Sequence, residues 1–257
     1  MNKPKKNFGQ NFLIDQVVLS RILRSLLPED NDNFLEIGCG KGALTKKILS
    51  SGASLVGVEI DRDLISDLED LATNHKNFKV INEDILKITL KDINDEKKLR
   101  VVGNLPYNIS SKIVVWAVEN RHYIQDAHFM LQKEFAERLL SPPDNKSYGR
   151  LSIFTQLFFS IEKLLAVPSA SFKPEPKVES IFLKLRPKEN YNLQDIDIKS
   201  LERITQKAFS KRRKKISTSL KGIISPEEMI QLNLDPNQRA ENLSVEDYVL
   251  ITKHINN

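Results

Sequence analysis

Between residues 33 and 186, short β-branched apolar runs alternate with segments of helical periodicity, and this alternation constrains the fold more than any other property of the chain. It is the pattern of a parallel sheet whose strands are joined by crossover helices, so an α/β fold is expected. Candidate strands are 34–37, 55–60, 78–82, 99–102, 127–131, 158–167 and 180–185. Between them Ala43, Leu44, Ile48 and Leu49 mark one helix face, and Leu64, Leu68 and Leu71 another. The run from Lys112 to Glu119 is apolar almost all round, which predicts a buried helix capped by Ser110 or Ser111. Asp15 is placed to cap a helix ahead of the sheet, with Val18, Ile22 and Leu26 facing inward.

The texture changes after Pro187. Helix signals alone follow: Leu201, Ile204 and Ala208 at helical spacing, then Ser225-Pro226-Glu227-Glu228 and Ser244-Val245-Glu246-Asp247 as two capping boxes. The expected organisation is a catalytic domain over 1–187 and a small all-helical domain over 188–257. A length of 257 residues accommodates both cores without staples. The single cysteine, Cys39, excludes an internal disulfide framework and a cysteine-rich zinc site, and fits a reducing compartment. His75, His122, His128 and His254 show no ligand-like spacing, so no metal is expected. No apolar run approaches the roughly 20 residues of a membrane span, and Asp15 interrupts the apolar stretch behind the basic N-terminus, so a cytoplasmic protein is expected. The 39 Lys plus Arg against 34 Asp plus Glu give a net charge of +5, a weak pointer to polyanionic partners.

The first strand runs directly into Gly38-Cys39-Gly40-Lys41-Gly42-Ala43 and a helix, which leaves backbone N–H groups free to meet a ligand. Glu59 closes the next strand, where a carboxylate can accept both hydroxyls of a ribose. Gly38-x-Gly40-x-x-Ala43 also satisfies the dinucleotide fingerprint, so a nicotinamide or flavin enzyme is one reading. Glu83-Asp84, after the third strand, adds a second acidic tip that can accept from an adenine amino group. Two such tips suit a nucleoside without a pyrophosphate, and S-adenosylmethionine is one.

Asn104-Leu105-Pro106-Tyr107 follows the fourth strand, at the carboxyl edge where open α/β sheets bind ligands. The exocyclic amine of adenine is a poor nucleophile because its lone pair is delocalised into the ring. If the Asn104 side-chain oxygen and the Leu105 carbonyl accept its two N–H groups, the nitrogen is drawn toward tetrahedral geometry and its lone pair is freed. Tyr107 offers a face on which a flipped base can stack. The plainer reading is an X-Pro turn with Tyr107 filling core.

These segments resemble the rRNA adenine N6,N6-dimethyltransferases, and among them the small-subunit dimethyladenosine transferases. The similarity is carried by Asn7-Phe8-Gly9-Gln10-Asn11-Phe12-Leu13, Leu35-Glu36-Ile37-Gly38-x-Gly40, Val58-Glu59-Ile60-Asp61, Gly103-Asn104-Leu105-Pro106-Tyr107-Asn108-Ile109-Ser110 and Phe172-Lys173-Pro174-Glu175-Pro176-Lys177-Val178-Glu179-Ser180. The resemblance implies a Rossmann-like, seven-stranded class I methyltransferase sheet with a C-terminal helical domain. It implies that Asn11, Leu13, Gly38, Gly40, Glu59, Asp84 and Asn104 contact S-adenosylmethionine, and that Tyr107 and Phe172 sandwich the target adenine. Large-subunit rRNA methyltransferases of the antibiotic-resistance type share several of these motifs. Tyr148-Gly149-Arg150-Leu151-Ser152 and Arg239-Ala240-Glu241-Asn242-Leu243-Ser244 look like the small-subunit branch. That branch implies dimethylation of two adjacent adenosines in a hairpin loop near the 3′ end of 16S rRNA, during small-subunit biogenesis, by a monomer acting on the subunit or its precursor. A non-catalytic assembly factor is the rival from another class.

Lys211-Arg212-Arg213-Lys214-Lys215 is either a solvated face or a site for RNA phosphates. Beside an RNA-modifying site the second reading is favoured, and with Arg150, Lys173 and Lys177 the run is expected to outline a positive track.

Overall fold

The computed structural model describes residues 10–93, 97–189, 196–211 and 213–256. They divide into two compact units, the first comprising 1–136 and 159–187 and the second 137–158 and 188–257.

The first unit opens with β1 (Phe12–Leu13) and α1 (Gln16–Leu26). Asp15 caps α1 by accepting the Val17 and Val18 N–H groups at 2.9 and 3.2 Å. Its buried face is Val18, Leu19, Ile22 and Leu26. The chain then alternates through β2 (Asn33–Ile37), α2 (Ala43–Leu49), β3 (Ser54–Glu59), α3 (Ile65–Asn74), β4 (Phe78–Asn82), the short α4 (Leu90–Ile93), β5 (Leu99–Asn104), α5 (Ser110–Glu119) and β6 (Ile124–Gln132). α6 (Lys133–Leu140) and α7 (Arg150–Phe158) come next, followed by β7 (Phe159–Val167), β8 (Phe172–Lys173) and β9 (Ser180–Pro187). Seven strands form one sheet in the order β4-β3-β2-β5-β6-β9-β7. β2 to β6 pair in parallel, and β9 runs antiparallel to both β6 and β7. All seven expected strands are present, within a few residues of their expected ends. β1 and β8 make a separate two-stranded ribbon.

The strand order reverses between β2 and β5. The carboxyl ends of these two neighbours therefore open a crevice at the switch point. Their register pairs Ile37 with Gly103. Gly103 is required there: a Cβ would lie 2.8 Å from the Ile37 carbonyl oxygen. α1 and α2 pack on one face of the sheet with Phe34, Val102, Met130 and Phe182 in a single apolar cluster.

A buried charge network fixes the opposite end of the strands. Arg100, 7% exposed, bonds to Asp126 at 3.1 and 3.2 Å, to Asp32 at 2.7 Å and to the Leu26 carbonyl at 2.7 Å. It ties the end of α1 to three segments of the sheet region.

α5 departs from the expected cap. The helix begins at Ser110, with Ile109 at the cap position and no side-chain cap bond. The Ser110 hydroxyl instead donates back to the Pro106 carbonyl at 2.9 Å, in the turn that precedes the helix.

The second unit contains α8 (Ile198–Phe209), α9 (Ile216–Ser219), α10 (Pro226–Gln231) and α11 (Val245–Asn256). Leu201, Ile204 and Ala208 are buried on α8. Both capping boxes form: Ser225 and Glu228 exchange bonds of 2.7 and 3.1 Å, and Ser244 and Asp247 bonds of 2.8 and 3.1 Å.

Beside the single expected boundary at 187, residues 137–158 group with the second unit. They do so because their partners lie there. Asp144 donates its N–H to the Glu241 carbonyl at 2.9 Å, and the fully buried Tyr148 ring lies 6.5 Å from Phe209.

Candidate active site

A cleft of about 220 Å³ opens at the switch point. Asn11, Gly38, Gly40, Glu59, Asp84 and the tetrapeptide Asn104 to Tyr107 all line it. Leu13 lines an adjoining chamber of about 250 Å³, which shares Phe12, Gly38, Gly40 and Asn104 with the cleft.

The glycine loop presents backbone. Gly40 adopts φ +56°, and a Cβ on it would lie 3.1 Å from the Phe12 ring. The Phe12 ring, with the Lys41 ammonium 5.2 Å from its centroid, occupies the space that the missing Cβ leaves.

Glu59 is 4% exposed, and each of its oxygens accepts a backbone N–H at 2.9 Å, one from Gly40 and one from Asp61. Burial pushes its pKa up, and those two N–H bonds hold it back. Each oxygen keeps a further lone pair directed elsewhere. Asp84 caps the turn after β4 by accepting the Leu86 N–H at 3.0 Å.

The tetrapeptide is held by its neighbours. β5 extends to Asn104, so this side chain stands on the sheet edge itself. Its Nδ2 donates to the Asn11 carbonyl at 2.8 Å, which fixes the amide orientation. Oδ1 accepts no bond among the described residues. The Leu105 N–H donates to the Met130 carbonyl at 3.2 Å, whereas the Pro106 carbonyl accepts from both Ile109 N–H and Ser110 Oγ. The Leu105 carbonyl accepts none among the described residues. Two acceptors from consecutive residues thus remain open, as a pair of amine N–H groups requires. Tyr107 is half-buried, with its hydroxyl 3.3 Å from Ser180 Oγ, and burial raises its pKa.

Phe172 is not brought to this cleft. Its ring is 3% exposed and belongs to the apolar cluster behind β1, where Leu13 is its ribbon partner. The segment's hydrophobicity is used in the core, and the expected pairing of Phe172 with Tyr107 across a base rests on the resemblance alone. The expected RNA contacts that fall among the described residues are surface groups. Lys173 and Lys177 are exposed in the first unit, and Arg150, Lys211, Arg213 and Lys214 in the second. Arg212 lies outside the described residues.

Sequence reasoning gave no role to three residues at the site. Gln10 lines the cleft and donates to Asp61 at 2.9 Å. Lys112 lines it from α5. Glu36 borders the inner chamber, 3% exposed, and accepts the Thr45 hydroxyl at 2.6 Å. Burial pushes its carboxyl up to about 8, and the nearby Glu59 charge adds to the effect. A carboxylate between two apolar residues of a central strand was the available signal. Among the described residues no group of three or more His, Cys, Asp or Glu could hold a metal ion, and no helix is long and apolar enough to cross a membrane.

The family model described as ribosomal RNA adenine dimethylase matches residues 1–257. A ribosomal RNA small subunit methyltransferase A from Nitrosococcus oceani is 40% identical over 254 residues, covering 98% of this chain and 96% of that protein. One from Legionella pneumophila is 41% identical over 256 residues, covering 100% and 99%. Among solved structures, a dimethyladenosine transferase from Plasmodium falciparum superposes with a TM-score of 0.82 at 26% identity, covering 95% of this chain and 97% of that one. The 23S rRNA methyltransferase ErmE gives 0.71 at 25%, covering 96% and 100%. Matched along its whole length by that family model and by relatives about 40% identical to it, the chain belongs to the ribosomal RNA adenine dimethylase family.

Proposed function

We propose that this chain transfers methyl groups from S-adenosylmethionine to N6 of two adjacent adenosines in a hairpin loop near the 3′ end of 16S rRNA, during small-subunit biogenesis. The observation that carries the reading is the Asn104 amide. It is pinned by the Asn11 carbonyl so that Oδ1 stays available, next to an equally available Leu105 carbonyl. The choice of the small subunit rests on end-to-end relatedness to proteins named for it.

The residues present fit the donor. Gly38, with nothing within 4 Å of where a Cβ would stand, leaves room for its approach along backbone, Glu59 has lone pairs to receive ribose hydroxyls, and Asp84 has a second oxygen for an adenine amine. Asn11 and Leu13 would flank its amino-acid end. When bound, S-adenosylmethionine supplies an electrophilic methyl on a positively charged sulfur.

The chain's own part is to raise the nucleophilicity of the acceptor. Asn104 Oδ1 and the Leu105 carbonyl take the two N–H groups of the target amine and bend it out of conjugation. Both acceptors are preorganised by backbone bonds, so little reorganisation is needed as charge develops. The Tyr107 ring supports the flipped base, a contact of roughly 1–3 kcal/mol. The excess proton leaves the amine after transfer. It can pass through the same acceptors to solvent, so no imidazole is called for. The first unit carries this chemistry. The exposed cations of the second unit, with Lys173 and Lys177, supply salt-sensitive contacts to the RNA backbone.

Methyl transfer to small subunits lacking the modification, followed by nucleoside mass analysis, tests the reading. Dimethyladenosine in small-subunit rRNA is expected, and Asn104→Ala should lower kcat at least about 100-fold with donor binding weakened but measurable. Undiminished methylation by that variant, or methylation confined to large-subunit rRNA, refutes it. Binding without turnover would support an assembly factor instead.

A further inference from the structure

The cleft continues in two directions. On one side it meets the chamber beside Glu36, and on the other it shares Leu86 and Lys112 with a groove along α5 whose Ser111 and Glu119 are exposed. Of the described side chains lining the cleft, Glu59, Glu83 and Asp84 are acidic and Lys112 alone is cationic. Glu83 already has Lys87 at 3.5 Å. Lys112 is exposed and makes no hydrogen bond or ion pair with any described residue.

Its place relative to the tetrapeptide is fixed. Ile109 N–H and Ser110 Oγ both donate to the Pro106 carbonyl, at 3.2 and 2.9 Å, so the first turn of α5 is tied to the residues that receive the base. A nucleotide whose base reaches Asn104 and Tyr107 carries a phosphodiester on each side of its sugar. The acidic lining repels that charge. We propose that Lys112 is a positioning residue that pairs with the phosphate flanking the target adenosine and so directs the RNA strand out along the α5 groove.

The inference deepens the functional reading above and rests on it. An ammonium on a four-carbon stem suits the task, because contacts to phosphate set the register of a strand without reading its bases. The competing anion is the carboxylate of the donor's amino-acid end. Lys112 sits at the groove end of the cleft, away from the residues shared with the inner chamber, and this favours the phosphate.

Binding of the full chain to unmethylated small ribosomal subunits, titrated between 50 and 300 mM salt, separates the two. Lys112→Ala should weaken binding about 5- to 10-fold and reduce the slope of log affinity against log salt by about 0.7–0.9, one phosphate contact. Lys112→Arg should recover most of both. In turnover the loss should fall on KM for the subunit, with kcat at saturating subunit held within about twofold. Affinity for S-adenosylhomocysteine should not move. An unchanged salt slope overturns the inference, as does a fall in S-adenosylhomocysteine affinity with subunit binding intact, which would assign Lys112 to the donor carboxylate. Because the slope needs no turnover, failure of the parent chain to methylate would count against the function alone.

Discussion

Replacing Glu36 by Gln should make the folded chain more stable than the parent at pH 8, and the advantage should vanish below pH 4.5. The carboxyl is buried on β2, and burial raises its pKa from 4.5 to about 8 against the opposing Thr45 hydrogen bond. Below pH 4.5 both folded and unfolded chains hold the proton, and the group costs nothing. Between 4.5 and 8 the unfolded chain releases a proton that the folded chain keeps, so stability falls by 1.36 kcal/mol per pH unit. That is about 3 kcal/mol at pH 7, levelling near 5 kcal/mol above pH 8. Both figures are upper values, because the carboxyl borders a chamber that water can enter. Gln preserves the volume and an oxygen for the 2.6 Å bond from Thr45, yet has nothing to ionise. Urea unfolding of donor-free protein at pH 5, 6, 7 and 8 gives the difference directly. Parallel pH profiles for the two proteins would show that Glu36 ionises as an ordinary carboxylate in the fold, and the burial argument would be wrong.

Arg100→Met should destabilise by about 3–5 kcal/mol, since Asp126 and Asp32 lose their buried partner; calorimetric unfolding reads it, and a loss below 1 kcal/mol contradicts the network. Gly57→Ala places a Cβ 2.4 Å from Cys39 Sγ and should cost about 1–3 kcal/mol, part of which Cys39→Ala restores. If the second substitution recovers nothing, the collision lies elsewhere. Tyr107→Phe removes only the long 3.3 Å contact to Ser180 and should leave methyl transfer within a few-fold, whereas Tyr107→Ala should lose about 5- to 150-fold in kcat/KM for RNA. Equal losses in the two variants would mean that the hydroxyl, not the ring, carries the effect. Ser225→Ala breaks a reciprocal cap and should lower stability by about 1 kcal/mol, measured from the denaturation midpoint.

The sheet was legible because parallel strands are buried on both faces, so each one reads as a compact apolar run. The ligand edge followed from that, since topology alone places Gly38, Glu59, Asp84 and Asn104 at strand ends. What escaped was decided by distant partners. Residues 137–158 carry helices that only later parts of the chain explain, and the expected strand start at Phe158 is the last residue of α7. Phe172 looked available because its neighbours are polar and proline-rich, but its environment is set by Leu13, more than 150 residues earlier. Glu36 was visible within a quoted motif, yet its chemistry depends on Thr45 and on desolvation, neither of which a linear pattern reports.

The insertion of 137–158 orders events during synthesis. All seven strands have left the ribosome once residue 187 has emerged, so the sheet can close while Tyr148 still lacks Phe209. At 5–20 residues per second, the 61 residues separating Tyr148 from Phe209 take on the order of 3–12 s. Throughout that interval a nascent chain with a finished catalytic sheet displays an unburied aromatic hairpin, a natural docking point for chaperones and the first place where premature termination would provoke aggregation.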